Sequence, residues 1–121
     1  MKGIVFTGNR TLAVREFDRP TPGPGEALIR IDATGICGSD LHVYRGERDM
    51  NQIGGHEPCG TVVEVGPGIV RLRVGDRVSV HHHHGCGVCD QCARGETVRC
   101  RYDHQVYGVN RPGSFAEFTV A

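Results

Sequence analysis

Short apolar stretches alternate with glycine- and proline-rich breaks along this chain, and sustained helical periodicity is missing. Gly3 to Phe6 is apolar and predicts a strand. Thr11 to Phe17 (TLAVREF) sets Leu12 and Val14 at alternate positions, the period of a half-buried strand. Ala27 to Ala33 (ALIRIDA) puts Leu28 on one face and Ile29, Ile31 and Ala33 on the other. Cys59 to Gly66 (CGTVVEVG) is a valine-rich strand that ends in the turn GPG. VGDRVSV (74–80) reads as a turn feeding a strand, and FAEFTV (115–120) as a last strand. Only GSDLHVYRG (38–46) suits one or two helical turns, with Ser39 or Asp40 as the N-cap. The pattern predicts a mainly β domain with short helices.

Residues 81–114 fit neither period. A loop of that length inside a compact domain needs something to organise it. Four of the chain's six cysteines, Cys86, Cys89, Cys92 and Cys100, lie near its start.

The length of 121 residues suits one domain, taken as 1–121. Lysine plus arginine and aspartate plus glutamate stand at 14 each, so no net charge draws the chain to nucleic acid or an anionic membrane. The N-terminus, MKGIVFTGNR, is too short in apolar residues for a signal-peptide core or a membrane span. A cytoplasmic setting is expected, where closely spaced cysteines bind metal rather than form disulfides.

The lobe spacing is C-x2-C-x2-C-x7-C. Two intervening residues let neighbouring sulfurs reach one ion. Four thiolates with no open position describe a closed structural zinc site. An iron–sulfur cluster and a pair of disulfides are the alternatives. The bacterial iron–sulfur run closes with x3-C-P, whereas here the last gap is seven and Arg101 follows Cys100.

A second constellation lies upstream. Cys37 stands just before the short helical segment, and His56-Glu57 follow nineteen residues later in GGHEPCG. Cys, His and Glu are ligand types of an open, catalytic zinc. Read alone, a buried thiol and a surface His-Glu pair explain them equally. Ser39 and His42, three apart, share a helix face and can pass a proton to solvent, or else Ser39 caps and His42 is a surface residue. Asp40 can orient a ligand histidine or cap. Cys59 reads as a buried core thiol, and the charges Arg45, Glu47, Arg48 and Asp49 as a solvated loop.

GICGSDLH (35–42), GHEPCGTVVEVG (55–66), VGDRV (74–78), the four-cysteine lobe and GSFAEF (113–118), in this order, resemble the N-terminal catalytic domain of zinc-dependent medium-chain alcohol dehydrogenases, including threonine and sorbitol dehydrogenases. The resemblance covers essentially the whole chain. It implies a GroES-like, partly open β-barrel with short helices and an irregular zinc-binding lobe at about 81–114. It implies catalytic-zinc ligands Cys37, His56 and Glu57, a proton relay through Ser39 and His42, Asp40 behind His56, and structural-zinc ligands Cys86, Cys89, Cys92 and Cys100. In such enzymes zinc polarises a small-molecule alcohol or polyol and NAD(P) accepts the hydride.

The sequence departs from that family in two respects. No G-x-G-x-x-G joins a strand to a helix, so no cofactor-binding residue is assigned and NAD(P) is expected only in a full-length parent. The chain alone is then expected to be inactive in hydride transfer, and a homo-oligomer could form through surface left uncovered. A non-catalytic zinc-stabilised binding or structural module, or a truncated or engineered fragment, is the alternative, and hydrolysis at an open zinc a third reading. His81-His82-His83-His84 is the other departure. It reads as a polar strand end or as a tag-like run that captures metal. His104 has no assigned role.

Overall fold

The computed structural model describes residues 1–121. Strands β1 (Lys2–Gly8) and β2 (Thr11–Glu16) form an antiparallel hairpin. Its turn residues Asn9 and Arg10 adopt positive φ, 52° and 61°. Their amides donate to the carbonyls of Gly46 (2.6 Å) and Tyr44 (2.8 Å), at the end of helix α1 (Gly38–Arg45). The hairpin thus satisfies carbonyls that a helix C-terminus leaves without partners.

The main sheet is antiparallel. Its order is β5 (Arg77–Ser79), β4 (Glu57–Val65), β3 (Ala27–Gly35) and β8 (Phe118–Val120). Two register shifts interrupt the β3–β4 ladder, one between Leu28 and Ile29 and one between Ile31 and Ala33. Such bulges bend and twist a sheet. Strand β1 is laced to the segment around Phe115 and Ile53: the Ile4 amide donates to the Phe115 carbonyl (2.7 Å), and the Gly54 amide to the Ile4 carbonyl (3.0 Å). The sheets do not close, since β2 pairs only with β1 and β5 only with β4. The result is a partly open β-barrel. Val5, Phe6, Leu28, Ile29, Ile53, Val62 and Tyr107 form its core. Phe6 meets Tyr44 and Phe115 edge to face, with centroids 6.4 and 6.0 Å away.

Several expectations need correction. Leu28 and Ile29 do not alternate; the register shift between them breaks the pattern and both are buried. Leu12 and Val14 are exposed, because no element packs over the hairpin's outer strand. Cys59 is exposed as well. Alternation along β4 turns Pro58, Gly60 and Val62 inward, and the thiol falls on the opposite face. Of FAEFTV only Phe118–Val120 joins the sheet, while Phe115 bonds to β1 instead. The lobe is less irregular than its sequence suggests. It holds a two-stranded ladder of β6 (His83–His84) and β7 (Gln105–Val106), the helical turn α2 (Asp90–Ala93) and a 3-10 turn (Thr97–Arg99).

Arg111 clips the lobe's exit to the barrel. Its Nη2 donates to Glu26 Oε1 (2.8 Å) and to the Val120 carbonyl (3.1 Å), and its guanidinium lies over Tyr107. Burial tends to raise the Glu26 pKa, but the Gly23 amide and Arg111 outweigh it and hold the carboxyl below its ordinary value. A carboxyl lowered in the folded state contributes stability above its unfolded pKa, and that contribution fades as pH falls through the folded value. Glu26→Gln is expected to cost about 1–3 kcal/mol at pH 7. Its difference from the parent should shrink below about pH 4, as read by urea unfolding across pH.

Candidate active site and metal centres

The start of α1 builds the first site. Cys37, not Ser39 or Asp40, is the N-cap. Asp40 lies at the third helical position, where its Oδ2 accepts the Cys37 amide at 2.9 Å. Its other oxygen, Oδ1, is 3.5 Å from His56 Nδ1. Asp40 is only 5% exposed, so one buried carboxylate holds both the cysteine's backbone and the histidine's ring. With Nδ1 turned to Asp40, Nε2 is the nitrogen left for a ligand.

His56 reaches this place because its glycine neighbours let aromatic rings close on the backbone. Gly55 has φ +83°, and a Cβ there would stand 2.5 Å from the Phe115 ring. Glu57 opens β4 opposite Gly35, where a Cβ would strike the Glu57 carboxylate. Cys37 Sγ, a His56 ring nitrogen and a Glu57 carboxylate oxygen all lie within 4.8 Å of one another. Cys37 and His56 are half-buried and Glu57 is exposed. This donor set fits an open zinc site, and its His56 side borders a cavity of about 240 Å³. Ser39, Asp40, His56, His82 and His83 line that cavity. His42 stands exposed three residues beyond Ser39 and does not line it.

His82 and His83 were not singled out as site residues by the sequence reading. Pairing of Ser79 with Cys59 steers the following run past the start of β4, and the His82 ring comes to 5.5 Å from that of His56. That pairing was the available signal, and it is a tertiary one. Burial and the neighbouring imidazoles lower the pKa of both His82 and His83, so both are neutral near pH 7.

The second site is the lobe. The sulfurs of Cys86, Cys89, Cys92 and Cys100 all lie within 4.8 Å of one another. Backbone amides point at them: Cys86 N to Cys100 Sγ (3.3 Å), Cys89 N to Cys86 Sγ (3.4 Å), Cys92 N to Cys89 Sγ (3.5 Å) and Asp103 N to Cys100 Sγ (3.4 Å). Donors aimed at sulfur favour thiolates. The amides of Cys86, Tyr102 and Asp103 lower Cys100 to about 6. Burial and the adjacent sulfurs push Cys92 up to about 12. Four thiols so crowded ionise together only around a cation. Gly85 leaves the room, since a Cβ there would be 2.6 Å from Cys92 Sγ. The all-sulfur set fits a closed tetrahedral zinc.

Residues 23–121 match the family described as Alcohol dehydrogenase GroES-like domain. The chain belongs to that family. It is 49% identical over 111 residues to an L-threonine 3-dehydrogenase of Pyrococcus furiosus, a match covering 87% of this chain and 32% of that protein. It is 40% identical to the zinc-type alcohol dehydrogenase-like protein YphC of Escherichia coli, over 100% of this chain and 38% of the relative. Among solved structures, the alcohol dehydrogenase TADH from Thermus sp. ATN1 superposes with a TM-score of 0.89 at 38% identity, covering 99% of this chain and 37% of that one. The E. coli alcohol dehydrogenase RspB, solved with NADH, gives 0.84 at 37% identity over 100% of this chain and 36% of its own. The chain thus spans about a third of the length of these relatives. No helix of this GroES-like domain is long and apolar enough to cross a membrane.

Metal removal tests the lobe directly. Chelation should raise amide exchange across residues 85–103 while the β5–β4–β3–β8 sheet stays protected. Cys92→Ser should lower the thermal midpoint by roughly 4 °C or more.

Proposed function

We propose that this chain is the zinc- and substrate-holding domain of a dehydrogenase that oxidises a small alcohol or polyol with NAD(P). The observation that carries this reading is the convergence of Cys37, His56 and Glu57 within 4.8 Å of one another, with buried Asp40 holding Cys37 and His56 and with His56 and Ser39 on one cavity. Cys37, His56 and Glu57 would hold the catalytic zinc, and Cys86, Cys89, Cys92 and Cys100 a structural one. When bound, the catalytic zinc supplies Lewis-acid polarisation of a substrate hydroxyl. Ser39 at the cavity accepts the hydroxyl proton, and His42, exposed on the same helix face, passes it to solvent. Asp40 keeps the His56 ring in place and fixes its tautomer.

The nicotinamide must be held by residues other than these, since no nucleotide fingerprint occurs here. The 121-residue chain alone therefore does not turn over alcohol with NAD(P). Relatives named L-threonine 3-dehydrogenase make threonine the first substrate to try. Elemental mass spectrometry should find two zinc per chain, falling to one in Cys37→Ser. In the cobalt-substituted domain, threonine or a simple alcohol should shift the visible bands, and Cys37→Ser should abolish the shift. One zinc in both proteins, with no alcohol response, would favour a non-catalytic zinc module.

The uncovered surface supports a homo-oligomer. The chain exposes 7368 Å², on the order of 900 Å² more than a compact monomer of its 13.2 kDa mass. That excess is about one partner's share of a standard interface. Leu12, Ile36, Leu41 and Tyr44 line an apolar groove suited to a second copy. Sedimentation equilibrium should show dimers that Ile36→Glu converts to monomer.

A further inference from the structure

The histidine run is the motif that the proposed reaction leaves unused. His83 lies at the centre of four imidazoles. Its ring centroid is 4.1 Å from that of His82, 4.9 Å from His104 and 5.5 Å from His81. His83 Nδ1 and His104 Nε2 are 2.8 Å apart. The two residues come from facing edges of one ladder, His83 from β6 and His104 from the position just before β7. Both are half-buried, and His83 faces the cavity. Neither belongs to the two cysteine-containing donor groups.

Two imidazole nitrogens this close can share one hydrogen or one ion. Cis nitrogens about 2.0–2.1 Å from a common ion stand roughly 2.9 Å apart at a right angle and roughly 3.4 Å apart in a tetrahedron. The observed 2.8 Å is the spacing of the hydrogen bond and lies below both, so the nitrogens must part a little to admit an ion. Imidazole pairs suit late first-row divalent ions, Ni²⁺ and Cu²⁺ among them. The rings lie 18° from parallel, so each must pivot to aim its lone pair at a common point. The bond between them is the only hydrogen bond either ring makes, so no other polar contact opposes the pivot.

We propose that His83 and His104 form a third metal seat for a late first-row divalent cation, with His82 the nearest further imidazole and water in the remaining positions. On binding, the bridging hydrogen moves to the far nitrogen of its own ring, so that two neutral imidazoles face the ion.

The test titrates the zinc-loaded chain, purified without metal-affinity resin, with Ni²⁺ under equilibrium dialysis. Elemental mass spectrometry counts nickel and zinc in the same sample. One Ni²⁺ per chain is expected beyond an unchanged zinc content. Affinity should fall by more than about tenfold in His83→Ala and in His104→Gln, at least what loss of an outer-sphere partner costs. His104→Gln keeps a hydrogen-bonding side chain opposite His83, so the ladder is retained while the nitrogen ligand is lost. Nickel uptake that persists in His104→Gln but disappears in His81→Ala would assign the capture to the run alone and overturn the proposal. So would the absence of any nickel beyond zinc. The zinc count reports the cysteine sites separately, so failure of this seat is distinguishable from failure of the zinc-domain reading.

Discussion

A single buried carboxylate organises the candidate active site. Asp40 accepts the Cys37 amide and faces His56 Nδ1, and it does so from the first turn of α1. A buried carboxylate is tolerated only when such donors surround it. The constraint therefore runs both ways. The helix start, the cysteine and the histidine satisfy Asp40, and Asp40 sets the spacing that makes them candidate ligands. Everything that brings β4 under α1 serves this contact, including the aromatic ring of Phe115 closed against Gly55 and the Gly35 position that admits the Glu57 carboxylate.

The lobe follows a different rule. Its residues are mostly exposed or half-buried, and among them only Cys89, Tyr107, Gly113 and Ser114 are buried. So little apolar burial cannot hold a long segment by itself. Amide-to-sulfur bonds shape a pocket that suits one cation, and a cation held there would supply the energy that the missing core does not. The Arg111 clip then fixes the lobe's exit against the barrel through Glu26 and the Val120 carbonyl. Between lobe and barrel runs the histidine segment, which touches both, through His82 beside His56 and His83 beside His104.

An open barrel explains the surface. Strands β2 and β5 keep one free edge each, and apolar side chains such as Leu12, Val14 and Ile36 remain in solvent. Edges and apolar patches of this kind are ordinarily covered in a working assembly. The family's solved members are about three times as long as this chain, so cover of some kind is the rule for this domain.

Much of this was legible in the residues themselves. Cysteine spacing alone pointed to a metal lobe, because ligand geometry is a local property of the chain. Strand positions followed from period and turn residues, apart from the shortened β5 and β8 and the unexpected β6–β7 ladder in the lobe. Ligand type made Cys37, His56 and Glu57 candidates, but nothing local joins residues nineteen apart, and family resemblance in GICGSDLH and GHEPCG was needed to prefer that reading over a core thiol and a surface pair. Tertiary structure decided what depends on pairing and cover. A register shift buried both Leu28 and Ile29, alternation along β4 turned Cys59 outward, and an unpacked edge left Leu12 exposed. The β4–β5 ladder carried the histidine run into the cavity. Sequence by itself determined which groups can bind and where the chain turns. Only the folded sheet decided which of those groups meet, because meeting is set by strand register and by bonds between segments far apart in the chain.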